Sequence, residues 1–138
     1  NRSKYTIKNC KYVSGLNNLK HCVKGKTFII NSLPLTNDTK DIFNKKIFKN
    51  LKNNCIFINI GRGETINFED LKKYYLIKKM QLGFDVYKEE NKRNLNNPIP
   101  KKLFLIKKFG NFFTPHMASY DNKIWLKYMS YLGKVINS

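Results

Sequence analysis

The run Cys55-Ile56-Phe57-Ile58-Asn59-Ile60, leading straight into Gly61-Arg62-Gly63-Glu64, decides the fold class. Its apolar residues are continuous rather than alternating, as expected for a strand covered on both faces of a parallel sheet. The glycines that follow suit a tight strand-to-helix turn. A second continuous run, Thr27 to Leu33, ends in Leu33-Pro34-Leu35-Thr36, and two more stand at Met80 to Tyr87 and Asn111 to Thr114. Helical patterns lie between the runs. Ile42, Phe43, Ile47 and Leu51 share a face after Asn37 and Asp38, either of which can cap. Phe68, Leu71, Tyr75 and Ile77 follow Asn67, another capping residue. Strand alternating with helix predicts an α/β fold with a parallel sheet and flanking helices.

Composition bounds the rest. The chain has 138 residues, 41% hydrophobic and 14% aromatic, enough for one buried core. No apolar run reaches the ~18 residues of a membrane span, and the first residues carry scattered Lys rather than a signal-peptide core. Basic residues number 27 against 9 acidic, a net charge of +18. Yet only Arg2, Arg62 and Arg93 are arginine, the side chain that reads bases bidentately, and the lysines are spread along the whole chain. Asn, Ile, Phe and Tyr are over-used and Ala occurs once, at Ala118, a bias that codon drift in an AT-rich genome produces. No nucleic-acid partner is therefore expected, and no membrane partner. Cys10, Cys22 and Cys55 are odd in number and form no Cys-x-x-Cys pair, which points to free thiols in a reducing compartment and no metal site.

In an open α/β sheet, ligands bind outside the carboxyl ends of the strands. The residues just past each run are Leu33 to Thr36, Gly61 to Glu64, Asp85 with Glu89 and Glu90 beyond it, and Thr114-Pro115-His116. Singly, each has a structural alternative: turn glycines, a solvated loop arginine, a hydrogen-bonded histidine. Together they set an Arg, carboxylates and a His on one edge. A guanidinium fork holds a carboxylate in fixed orientation. A His of near-neutral pKa passes a proton to or from a substrate oxygen, and a carboxylate beside it favours the imidazolium. Gly61-Arg62-Gly63 entering a helix also offers backbone N–H groups to an anion. Proton transfer on a hydroxy or keto acid fits, given a hydride carrier.

Leu33 to Thr39 (LPLTNDT), Ile58 to Asn67 (INIGRGETIN), Gly83 to Glu90 (GFDVYKEE) and Thr114 to Ala118 (TPHMA) carry a resemblance. In this order and spacing the chain resembles the D-isomer-specific 2-hydroxyacid dehydrogenases, from about Thr27 onward. The resemblance implies a Rossmann-like parallel sheet that is the second half of a nucleotide-binding domain over residues 1–120, and the stripe Ile124, Trp125, Tyr128, Met129, Leu132, Val135 and Ile136 behind the capping Asp121 predicts an amphipathic helix over 121–138. It implies Arg62, Glu90 and His116 as catalytic residues: Arg62 on the substrate carboxylate and carbonyl, His116 as acid/base, Glu90 paired with His116. The residues alone leave Glu89 and Glu90 open, and the resemblance selects Glu90. It further implies Asp85 on the nicotinamide carboxamide, Leu33, Pro34 and Thr36 on the adenosine and phosphate side, and Ile60 and Gly61 near the nicotinamide ribose.

Arg2-Ser3 resembles the element that receives the extra phosphate of NADP in the glyoxylate/hydroxypyruvate reductase branch, so the cofactor is NAD or NADP with NADP favoured. The expected activity is hydride transfer between NAD(P)H and a small 2-keto or D-2-hydroxy acid such as glyoxylate or hydroxypyruvate, in a cytoplasmic homodimer. Phosphoglycerate and D-lactate dehydrogenases share these motifs. A non-catalytic binding or assembly module is the rival from another class. Three departures stand out: Asn91 where the family has Pro, Tyr87 for Phe, and Asn67 for an acidic residue. No Gly-x-Gly-x-x-Gly occurs, Ile66 standing where Gly61-x-Gly63 needs its third Gly, so the chain reads as a fragment of the enzyme, inactive alone.

Overall fold

The computed structural model describes residues 14–88, 111–114 and 116. Apolar runs and turn chemistry produce four short strands: β1 (Phe28–Asn31), β2 (Ile56–Asn59), β3 (Gln81–Phe84) and β4 (Phe112–Phe113). They form one parallel sheet in the order β1-β2-β3-β4. Register aligns Asn31 with Asn59 and Phe84, and Phe84 with Phe113, so the strands end together. Parallel neighbours need crossovers. Among the described residues these carry α2 (Lys45–Phe48) between β1 and β2, and α3 (Phe68–Lys78) between β2 and β3, after an entering α1 (Leu19–Val23).

α3 starts where the sequence predicts. The Asn67 side chain accepts from the Asp70 N–H at 3.1 Å, and Glu69 and Asp70 place negative charge on the helix's positive end. Leu71 and Tyr75 face the core, whereas Ile77, two residues on from Tyr75, falls off that face and is exposed. α2 departs from the sequence reading. Neither Asn37 nor Asp38 caps it: Asp41 takes φ +50° and Phe43 forms an isolated bridge with Ile66, so the chain is not helical before Asn44. Asn44 is the cap, accepting from Lys46 N–H at 3.0 Å. The reason is tertiary, since Phe43 N–H donates to the Thr65 carbonyl and its own carbonyl accepts from Asn67 N–H.

The core lies between the sheet and α2 and α3. Phe57 is its centre, meeting Phe43, Phe48 and Phe84 edge-on at centroid distances of 5.1, 5.8 and 6.1 Å. Leu71, Tyr75, Met80 and Leu82 close around it, each apolar side chain of this kind contributing about 1.5–3 kcal/mol by burial. The continuous apolar runs predict cover on both faces, but the described helices cover one. Phe28, Ile30 and Phe112 on the other face are 52%, 55% and 69% exposed. No helix among the described residues is long and apolar enough to cross a membrane.

Candidate active site at the carboxyl edge of the sheet

Each strand delivers its exit residues to the same edge. After β1, the hydroxyl of buried Thr39 donates to the Pro34 carbonyl at 2.6 Å and accepts from Thr36 N–H at 2.7 Å, closing the Leu33–Thr36 turn. Pro34, Leu35 and Thr36 are exposed and Leu33 is half-buried.

After β2, the two glycines are required by their neighbours rather than by an unusual dihedral. A Cβ on Gly61 would lie 2.6 Å from the Leu33 carbonyl oxygen, and one on Gly63 would overlap the Tyr87–Lys88 peptide. Gly61 therefore admits the exit of β1 and Gly63 that of β3, with Arg62 presented between them. Arg62 is extended (φ −140°, ψ 140°) and exposed, and its Nη1 donates to the Gly61 carbonyl at 2.8 Å.

The expected anion cradle of backbone N–H groups is changed in detail. Gly61 N–H is turned inward onto Asn59 Oδ1 at 3.2 Å. A short 3-10 turn, Gly63–Thr65, follows with Arg62 at its start, and α3 begins only at Phe68, so Gly61-Arg62-Gly63 does not sit on an α-helix N-terminus.

After β3 comes Asp85, 8% exposed. Thr114 Oγ1, just past β4, donates to Asp85 Oδ1 at 2.5 Å, a charge-assisted bond that joins the two exits. Tyr87 Oη stands 2.8 Å from the Phe84 carbonyl and 2.5 Å from that of Thr114. Its hydroxyl, at a position where a Phe lacks one, thus bridges the strand ends. His116 is exposed and lies in the left-handed region at φ +53°, a conformation that disfavours side-chain-bearing residues by about 1–2 kcal/mol, though His is enriched there.

The structure therefore joins Leu33 to Gly61, and Asp85 to Thr114, and sets Ile60, Arg62 and His116 on the same edge. Arg62 follows β2 and His116 follows β4, strands that lie about 10 Å apart with β3 and Asp85 between them. Glu90, Arg2 and Ser3 lie outside the described residues, as does the helix expected over 121–138. Sequence reasoning missed Asn31, Asn59 and Thr65, which are 1%, 0% and 0% exposed and bonded to one another. Their signal was present: an Asn at the end of each of two otherwise apolar runs, where a side chain facing the core must be satisfied.

A parallel sheet with ligand-competent side chains gathered at its carboxyl edge defines an open α/β domain whose ligand site lies at that edge. Residues 1–118 match the family described as D-isomer specific 2-hydroxyacid dehydrogenase, NAD binding domain, and the chain belongs to that family. It is 36% identical over 95 residues to a glyoxylate reductase/hydroxypyruvate reductase of Mus musculus, a match covering 67% of this chain and 26% of that protein. A D-isomer specific 2-hydroxyacid dehydrogenase family protein from Klebsiella pneumoniae 342 superposes with a TM-score of 0.71 at 28% identity, over 86% of this chain and 36% of that one. The D-lactate dehydrogenase of Aquifex aeolicus, solved with NAD and lactic acid, gives 0.65 at 25% identity, over 86% and 38%. The chain thus spans about a quarter of the length of the curated relative and little more than a third of these solved chains.

Proposed function

We propose that this chain is the part of an NAD(P)-dependent oxidoreductase that carries the acid/base and substrate-carboxylate groups for interconverting a 2-keto acid and its D-2-hydroxy acid. Glyoxylate or hydroxypyruvate is the leading substrate, following the relative from Mus musculus. The observation that carries this reading is the common edge on which β2, β3 and β4 deliver Arg62, Asp85 and His116.

The donor set suits a nicotinamide dinucleotide. Asp85, held by Thr114, is a rigid acceptor for a carboxamide N–H. Leu35 and Ile60, 44% and 49% exposed at the same edge, offer apolar surface to flat rings and ribose, and the Leu33–Thr36 turn with Gly61 allows close approach. Arg2 and Ser3 are the proposed seat of a 2′-phosphate, which would favour NADP. When bound, the cofactor supplies or accepts the hydride. Arg62 orients the acid by its carboxylate, in a fork that a Lys does not reproduce. His116 holds the proton delivered to the keto oxygen during reduction and removes it in the reverse direction, with Glu90 favouring the imidazolium. Assembly as a homodimer belongs to the same proposal.

The test uses the intact protein that contains this chain, assayed for NADPH and NADH oxidation with glyoxylate and hydroxypyruvate. His116→Ala is expected to abolish turnover while leaving cofactor affinity nearly unchanged. Normal turnover in that variant would remove His116 from the chemistry.

A further inference from the structure

At the exits of β1 and β2 the core is polar where it is driest. Asn31, Asn59 and Thr65 are together almost completely buried, an arrangement that costs stability unless every polar atom is paired. Asn31 Nδ2 donates to Asn59 Oδ1 at 2.8 Å and to Thr65 Oγ1 at 2.7 Å, using both of its hydrogens. Asn31 Oδ1 accepts from Leu33 N–H at 3.1 Å, and Asn59 Oδ1 from Gly61 N–H at 3.2 Å. The hydroxyl of Thr65 has one proton, and it goes to the Arg62 carbonyl at 2.6 Å; Asn59 Nδ2 lies 3.4 Å from the same oxygen.

Apart from the bond to Leu33 N–H, which ties in the β1 exit, these bonds lead to the Gly61 N–H and the Arg62 carbonyl. The Gly61 N–H is fixed from below and the Arg62 carbonyl is held by two side chains, which sets the extended conformation from which the guanidinium leaves the edge. Simple packing does not require this polarity, since Cys55 and Met80 at the other end of β2 and β3 are equally buried without a comparable network. We infer that Asn31, Asn59 and Thr65 are positioning residues for Arg62: a buried bridge from the neighbouring strand sets the direction of the carboxylate-binding guanidinium and ties it to the Leu33–Thr36 turn. The inference rests on the reading of Arg62 as the substrate-carboxylate residue.

The experiment compares Thr65→Val, which keeps volume and branching but removes the hydroxyl, with Thr65→Ser, which restores it, in the intact protein. Thr65→Val is expected to raise KM for the keto acid roughly tenfold, as misplacement of a positioning group does, with kcat and KM for the nicotinamide cofactor little changed. Thr65→Ser returns KM toward wild type. Unchanged KM in Thr65→Val, or equal losses in both variants, would overturn the role. If Thr65→Val does not fold, Asn31→Ser carries the same measurements.

A second readout is independent of turnover. Phenylglyoxal labelling, mapped by mass spectrometry, reports on Arg62 separately because the chain holds only Arg2, Arg62 and Arg93. Release of the Arg62 turn is expected to raise its labelling rate several-fold relative to Arg93, and equal rates in wild type and Thr65→Val would reject the positioning role. A wild-type protein that reduces no keto acid yet shows the labelling difference would overturn the proposed activity and leave the bridge standing.

Discussion

The two ends of the sheet are built by different means. At the amino end, several loop ties are backbone bonds, Gly25 N–H to the Asn50 carbonyl, Lys52 N–H to that of Lys26 and Asn54 N–H to that of Lys78, and the side chains that join in, Lys78 on the Leu51 carbonyl and Asn111 between Leu82 N–H and Tyr75 Oη, are only partly buried. The seal there is apolar, made by Leu51, Cys55 and Met80. At the carboxyl end, loops are tied by buried side chains. Every buried polar residue among the described ones, namely Asn31, Thr39, Asn59, Thr65 and Asp85, sits at a strand's carboxyl end or in the segment that leaves it. Backbone ties are indifferent to side-chain identity, whereas a buried amide or hydroxyl demands one geometry and so transmits it to its neighbours. One end is built to be stable, the other to hold directions.

Perturbing each end separately should bring out that difference. The largest effect is expected from Gly63→Ala, whose methyl group has no space beside the Tyr87–Lys88 peptide. Overpacking against backbone should lower stability by about 3 kcal/mol or more, measured by denaturant unfolding of the intact protein; a wild-type midpoint would refute the close approach. Met80→Ala at the amino end should cost about 3 kcal/mol through lost burial and cavity formation. Here KM for both substrates should stay put, and a change in substrate KM would break the contrast between the ends.

Thr114→Val at the carboxyl end removes the donor to Asp85 and should cost about 2 kcal/mol, the scale of a hydrogen bond to a charged group. Unlike Met80→Ala it should also weaken cofactor binding, read by fluorescence titration with NADH and NADPH. The smallest effect concerns Cys55, whose thiol is pushed up to about 11 by burial. Because its pKa is raised above the ordinary value of 9.0, its contribution to stability is intact below pH 9 and is lost as pH rises toward 11. Comparing wild type with Cys55→Ala over that range isolates the slope. At pH 8, iodoacetamide should label half-buried Cys22 well before Cys55, and the reverse order would contradict the apolar seal.

Much of this architecture is legible in the residues. Four apolar runs became four parallel strands, and Asn67 became the cap of α3, because period and capping are local properties. Arg62, Asp85 and His116 reached one edge because in-register parallel strands carry their exits to the same side. The start of α2 was not legible: Asn37 and Asp38 are as good caps as Asn44, and only the bridge from Phe43 to Ile66 chooses between them. Nor does a continuous apolar run reveal which face the described helices cover. Phe28 and Ile30 read like Phe57 yet are exposed.

The sequence by itself therefore determined the order of elements, the parallel sheet, the turn glycines and the residue types at the edge. Those follow from periodicity, chain connectivity and the chemistry of single side chains. Only the tertiary structure decided that Gly61 and Gly63 make room for Leu33 and Tyr87, that Tyr87 bridges two strand exits, and that Asn31 reaches Thr65 across 34 positions of chain. Those contacts join residues far apart in sequence. They exist because burial leaves each polar atom no partner but the one that folding brings to it.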